Sequence, residues 1–312
     1  MAFINWIEEP ALRRPVMILA MAGWNDASSV ASTSVRFLID RWQAKKFAEI
    51  DPEEFFSFTR IRPQVRLDEN EGRIIVWPET GFYYHVDPLL DRDFVLLIGI
   101  EPSFKWRTFS EAIVQVCQEA HISSVLSLGG LAAQVPHTLA ARVTGSTSDP
   151  DLAAQFPDLA VRRSRYEGPT GIVGVLSDML NRAGIPTGSL WGNVPHYISA
   201  SPNPKVAHGL LTRLNGMFGL GLDLDDMARS GRRFERQVNE ALAQNPEVAQ
   251  YVKQLEQAQA DGEATEPLPE APPESSEPSD LPRGEDVVRH LEEFLRQQRS
   301  KPGDADPEGQ GD

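Results

Sequence analysis

Cysteine is nearly absent from this chain of 312 residues: Cys117 stands alone, so an internal disulfide is excluded and no Cys/His spacing of the kind that holds zinc is present. A reducing, cytoplasmic setting is the expectation. Long apolar runs are missing too. No stretch reaches the roughly 18 to 20 uninterrupted apolar residues that span a bilayer, and residues 1–15 mix charges with a few apolar side chains where a signal peptide needs a continuous apolar core. Neither insertion into nor export across a membrane is therefore expected. Positive charge is scarce: 30 Lys and Arg face 45 Asp and Glu, for a net charge of -15. With no Lys/Arg cluster interleaved with aromatics, the chain repels phosphate backbones and nucleic acid is not an expected partner. Also lacking are the G-x-G-x-x-G and G-x-x-x-x-G-K-[ST] cradles, the G-x-S-x-G elbow, H-E-x-x-H and C-x-x-C. No cofactor, metal or catalytic residue is assigned.

What remains is the composition of a folded protein, 41% hydrophobic and 24% charged. Its acidity is concentrated at one end, where 15 acids face 5 bases from Asp261 onward. Val16-Met17-Ile18-Leu19-Ala20-Met21 is a short apolar run closed by Gly23, after which Val30, Ala31, Ser34, Phe37, Leu38 and Trp42 recur at helical spacing. A buried strand followed by a helix is expected. Short extended pieces are predicted at 55–61, 73–77 and 82–86, separated by Pro63, Gly72 and Pro78. Phe94 to Ile100 is the most strand-like run, and Ile113, Val114, Cys117 and Ala120 mark one face of the next helix. Further strands are predicted at 125–128, ending at Gly129-Gly130, at 139–144 and at 189–194, with helices at 172–182 and 204–218. Asn203 and Pro204 give the last helix a well-marked start. Strands without polar alternation need cover on both faces, which predicts an α/β fold: a three-layer α/β/α sandwich around a mostly parallel central sheet.

Beyond Gly221 the strand signals stop. Phe234, Val238, Ala241 and Leu242, then Val248, Val252 and Leu255, suggest two helices interrupted at Asn245-Pro246. The expected organisation is an α/β domain over 1–222, then a helical extension over 223–260 packed on the domain or at an oligomer interface. A disordered acidic, proline-rich linker over 261–283 follows, an amphipathic helix over 284–299 and a disordered end over 300–312. Val287, Val288, Leu291, Phe294 and Leu295 form the apolar stripe of that helix, a candidate partner-binding element that docks on its own domain or on a neighbour.

Two glycine-bearing loops are candidate ligand sites. Gly23-Trp24-Asn25-Asp26 lies where a strand hands over to a helix, the place where open α/β sheets bind ligands. The plainer reading makes Gly23 the turn and Asp26 a helix cap. Gly168-Pro169-Thr170-Gly171-Ile172-Val173-Gly174 enters a helix with glycine at every third position. That spacing suits either close approach to a phosphate or carboxylate, or close packing of the helix on the sheet. Gly129, Gly130, Asn193 and His196, near strand ends, complete the candidate set, while the six histidines show no metal-ligand spacing. Cys117, on an apolar helix face, reads as inert packing.

Gly23-Trp24-Asn25-Asp26-Ala27, Gly129-Gly130-Leu131, Gly168-Pro169-Thr170-Gly171 and Pro202-Asn203-Pro204, in this order and spacing, resemble the PAC2 family, which includes the proteasome assembly chaperones. The resemblance runs from about Pro15 to about Asp226 and implies a fold like that of the nucleoside phosphorylases. It also implies homo-oligomers without established catalysis that act as protein-binding platforms, with proteasome subunits or another ring complex as clients. Archaeal members that bind proteasomes end in a hydrophobic residue, a tyrosine and any residue. Gln310-Gly311-Asp312 departs from that pattern, so the resemblance implies engagement through the domain surface or the tethered helix. The alternative is an enzyme, phosphorylase-like or of carboxylate-amine ligase type, that binds a phosphate, nucleotide or carboxylate at the strand-end glycine loops.

Overall fold

A computed structural model of the chain describes residues 3–68, 72–155, 160–161, 167–198, 200–243 and 246–261. The linker, amphipathic helix and end expected beyond Asp261 lie outside these residues. In chain order the elements are β1 (Ile4–Trp6), β2 (Val16–Ala22), α1 (Val30–Trp42), β3 (Lys45–Ile50), β4 (Gln64–Asp68), β5 (Gly72–Val76), β6 (Thr80–His85), β7 (Phe94–Ile100) and α2 (Trp106–Glu119). There follow β8 (Ser124–Ala133), β9 (Val143–Thr147), α3 (Pro150–Gln155), β10 (Ala160–Val161), α4 (Ile172–Arg182), β11 (Thr187–Pro195), α5 (Pro204–Phe218), α6 (Asp225–Leu242) and α7 (Pro246–Ala260).

Among the described residues nine strands form one sheet in the order β1-β3-β6-β7-β2-β8-β11-β9-β10. The central four, β7-β2-β8-β11, are mutually parallel, whereas β1, β3 and β6 extend one side in antiparallel fashion and β9 runs antiparallel to β11. The centre is apolar because it is enclosed on both faces. Met17, Leu19 and Met21 of β2 point into one core with Phe109 and Ile113 of α2 and Ile172 and Leu176 of α4. Val16, Ile18 and Ala20 point into the other, with Val35 and Leu38 of α1 and Leu210 and Leu214 of α5. At about 1.5–3 kcal/mol for each fully buried Leu, Ile, Met or Phe, both layers of helix are needed to make such a strand worth ordering.

Local signals fix the helix ends as expected at α5, where the Asn203 Oδ1 accepts the Val206 N–H at 3.2 Å and Pro204 occupies the first turn. Helix α6 crosses α5 with little between the backbones, since a Cβ on Gly231 would stand 3.1 Å from Lys205 Cα. A third core joins Val238 and Leu242 of α6 to Val248, Val252 and Leu255 of α7 around Tyr197 and Ile198.

Three local expectations are corrected. Residues 55–61 form turns instead of a strand, because Phe55 is drawn inward by edge-on contacts with Phe109 at 5.2 Å and Phe3 at 5.4 Å. The strand expected to stop before Gly129-Gly130 runs through both to Ala133, and a Cβ on Gly129 would come within 2.4 Å of the Trp191 ring on neighbouring β11. The strand expected at 139–144 is shifted along the chain to Val143–Thr147.

Candidate functional site

Parallel strands deliver their C-terminal ends to one edge of the sheet, and the candidate residues gather there. Gly23 leaves β2 with φ +131° against Glu101, which follows β7; a Cβ on Gly23 would stand 3.0 Å from Glu101 Cβ. Asp26 forms a bridge to Gly130, whose N–H donates to the Asn25 carbonyl at 2.9 Å. A Cβ on Gly130 would strike the Ala27 carbonyl at 2.6 Å, so the first loop lies flat on β8. The Asn203 N–H donates to the Ser28 carbonyl at 3.0 Å, bringing the Pro202-Asn203-Pro204 motif to the same loop. Ser28 and Ser29 both take positive φ there, at 49° and 54°, a conformation that surrounding contacts must hold in place.

The second loop meets the first. At Gly171 a Cβ would fall 2.1 Å from Asn25 Oδ1 and 2.8 Å from the Trp24 ring, so only glycine fits beneath those side chains. Thr170 folds back over Gly174, where a Cβ would be 2.1 Å from its hydroxyl, and Gly168 is exposed. Thus Gly23, Trp24, Asn25, Asp26, Gly130 and Gly171 are brought into one cluster.

The chemistry of this cluster is mainly that of hydrogen-bond acceptors. Glu101, which sequence reasoning missed, accepts the Ile172 N–H at 2.8 Å and occupies the start of α4 where an anion would sit. The Asp26 carboxylate accepts from Ala31 N at 2.7 Å and Ser32 N at 3.2 Å, capping α1. Burial pushes the Asp26 pKa up, against the opposing pull of those hydrogen bonds. Asn25 Oδ1 is buried without a hydrogen-bond partner among the described residues. Two carboxylates and an amide oxygen make a poor seat for phosphate. The signal for Glu101 was present in the sequence as a lone acid directly after the most apolar strand.

Asn193 and His196 belong to a neighbouring site beneath α6 and α7. Asn193 is buried, donates its N–H to the Arg142 carbonyl at 2.9 Å, and lines a cleft of about 20 Å³ with His137, Lys205, Phe234 and Glu235. That volume holds about one water. The His137 N–H donates to the Tyr197 hydroxyl, which lies 2.8 Å from His137 Nδ1, and His137 Nε2 is 3.0 Å from Asn239 Oδ1. A neutral ring protonated on Nε2 satisfies all three contacts, with Tyr197 donating to Nδ1. Burial lowers the pKa of His137 and of His196. His196 faces the Ala133 carbonyl at 3.2 Å through Nδ1, and Tyr251 of α7 at 3.4 Å through Nε2. Lys205 bridges the His137 carbonyl and Glu235, while Thr138 bonds Glu256. This network ties the extension to the sheet edge, and its members are too far apart in sequence to be read as a motif. Among the described residues no three His, Cys, Asp or Glu side chains gather to hold a metal, and no helix is long and apolar enough to cross a membrane.

The chain is similar to known structures over most of its length. A PAC2 family protein from Streptomyces avermitilis is 41% identical, with a TM-score of 0.69 over 76% of this chain and 99% of that one. A proteasome-assembly chaperone homologue from Mycobacterium tuberculosis is 37% identical, with a TM-score of 0.67 over 76% and 99%. An archaeal proteasome activator from Pyrococcus furiosus, 20% identical with a TM-score of 0.63 over 76% and 97%, shares the fold. No curated protein matches the chain. The profile of the PAC2 family matches residues 20–242, which include every candidate residue of the sheet edge, and with the two bacterial relatives it establishes that the chain belongs to the PAC2 family.

Proposed function

We propose that this protein is a non-catalytic, chaperone-like scaffold that binds another protein complex through the C-terminal edge of its parallel strands, with proteasome subunits as the first client to test. The observation that carries the reading is the meeting of the two glycine loops. The glycines admit the chain's own Trp24, Asn25 and Glu101, so their close approach serves packing and leaves acceptor groups where a phosphate or carboxylate needs donors. Trp24 is 42% exposed on this edge, and Phe104, which follows the adjacent strand β7, is 53% exposed. Large aromatics half-buried in a rigid frame are what protein interfaces use as anchors. The relatives described as a proteasome-assembly chaperone homologue and a proteasome activator support the choice of client. Homo-oligomers in the cytoplasm fit the same role.

The test mixes the full chain with purified proteasome subunits and follows complex formation by sedimentation. Trp24→Ala should weaken binding by about tenfold or more, the loss of about 1.4 kcal/mol expected of an interface anchor. If the subunits stay unbound while inorganic phosphate or a nucleotide raises the melting temperature, the scaffold reading fails and the enzyme reading replaces it.

A further inference from the structure

Strands β4 and β5 pair with each other and stand apart from the nine-stranded sheet. Their register sets Val65 opposite Ile75 and Leu67 opposite Arg73, so these four side chains share one face, continued by Trp77 just beyond β5. That face is open: Val65 is 49% exposed, Leu67 87%, Ile75 56% and Trp77 49%. Ile74 and Val76, on the opposite face, are partly covered. Trp77 also meets Phe58 edge-on at 5.0 Å, which anchors the base of the hairpin. A two-stranded hairpin is marginal in water without something on its apolar side. We infer that the face formed by Val65, Leu67, Ile75 and Trp77 is a docking surface for residues 284–299 of the chain's own tail.

Three observations select this occupant. Val287, Val288, Leu291, Phe294 and Leu295 are the concentrated apolar residues beyond Asp261, and at the helical spacing expected from sequence their stripe would span about 12 Å, close to the roughly 17 Å of a five-residue strand. Charge agrees: residues 261–282 hold seven acids and no base, while the hairpin and its approach carry exposed Arg60, Arg62, Arg66 and Arg73. A second hairpin would bring four more arginines instead. Reach is ample, because a linker of about 22 residues extends to about 70 Å, beyond the roughly 45 Å width of a domain this size.

Cysteine cross-linking in the full chain tests the inference, and Cys117, the sole native thiol, is buried and does not compete. A Leu67→Cys/Leu291→Cys chain under mild oxidation should link positions 67 and 291 within one chain about tenfold faster than a Leu67→Cys/Ser275→Cys chain, and a link that forms only between two chains would overturn the inference. Independently, Leu291→Asp with Phe294→Asp should speed amide exchange in β4 and β5 by about tenfold and leave the central strands unchanged. Rapid dimerisation of Leu67→Cys alone through position 67 would assign the face to a second copy and overturn the inference. Equal cross-linking at positions 275 and 291, or hairpin exchange indifferent to the tail substitutions, would overturn it as well.

Discussion

At the scale of single residues, the clearest lesson is that a glycine-rich loop announces close approach without saying what approaches. Gly171 looks the same in sequence whether it faces a phosphate or, as here, the amide of Asn25 and the ring of Trp24. The decisive residue is Glu101, whose carboxylate takes the first free N–H of α4. Glu101→Ala should lower stability by about 0.5–2 kcal/mol, the cost of losing a helix cap, and this is measurable by chemical denaturation. An unchanged midpoint would mean that solvent caps α4 equally well. Asn203, by contrast, was legible from sequence because its partner Val206 lies three residues away and helix geometry alone brings them together.

At the scale of elements, strands were readable where burial on both faces removes polar alternation, as in Val16–Ala22 and Phe94–Ile100. The outermost strand Ile4–Trp6 and its neighbour Lys45–Ile50 were not, being short or carrying Lys45, Lys46 and Glu49 among their few apolar residues. The network beneath α6 and α7 was equally hidden, since His137 and Asn239 meet only after the whole domain has folded. It makes the extension sensitive to acid. Burial lowers the pKa of His137 and His196 below the ordinary 6.5, so the unfolded chain takes up protons there before the folded one does. The stability these rings contribute is complete above that value and drains away as pH falls from it towards their folded values. Lys205 opposes protonation of His137, while Glu235 and Glu256 favour it. Amide exchange in α6 and α7 should therefore quicken relative to the central strands between about pH 7.5 and about pH 5, and His137→Gln should flatten part of that response. A uniform change across the protein would argue against a local origin.

At the scale of the whole molecule, the two apolar layers on the sheet and the third core under the extension are built, among the described residues, from side chains that precede Asp261. Removing residues 262–312 should leave the melting temperature within about 2 °C of the full chain, and the mass by light scattering should fall only by the deleted residues in each subunit. Loss of cooperative melting, or a changed number of subunits, would assign the tail a part in assembly. The strand order has a last consequence for how the protein is made. Val16–Ala22 leaves the ribosome early, yet its neighbours are Phe94–Ile100 and Ser124–Ala133, and the parallel centre closes only with Thr187–Pro195. At about 5–20 residues per second, the nascent chain carries an apolar, unpaired segment for many seconds of translation. The parallel centre is thus the last part of the sheet that the growing chain can complete.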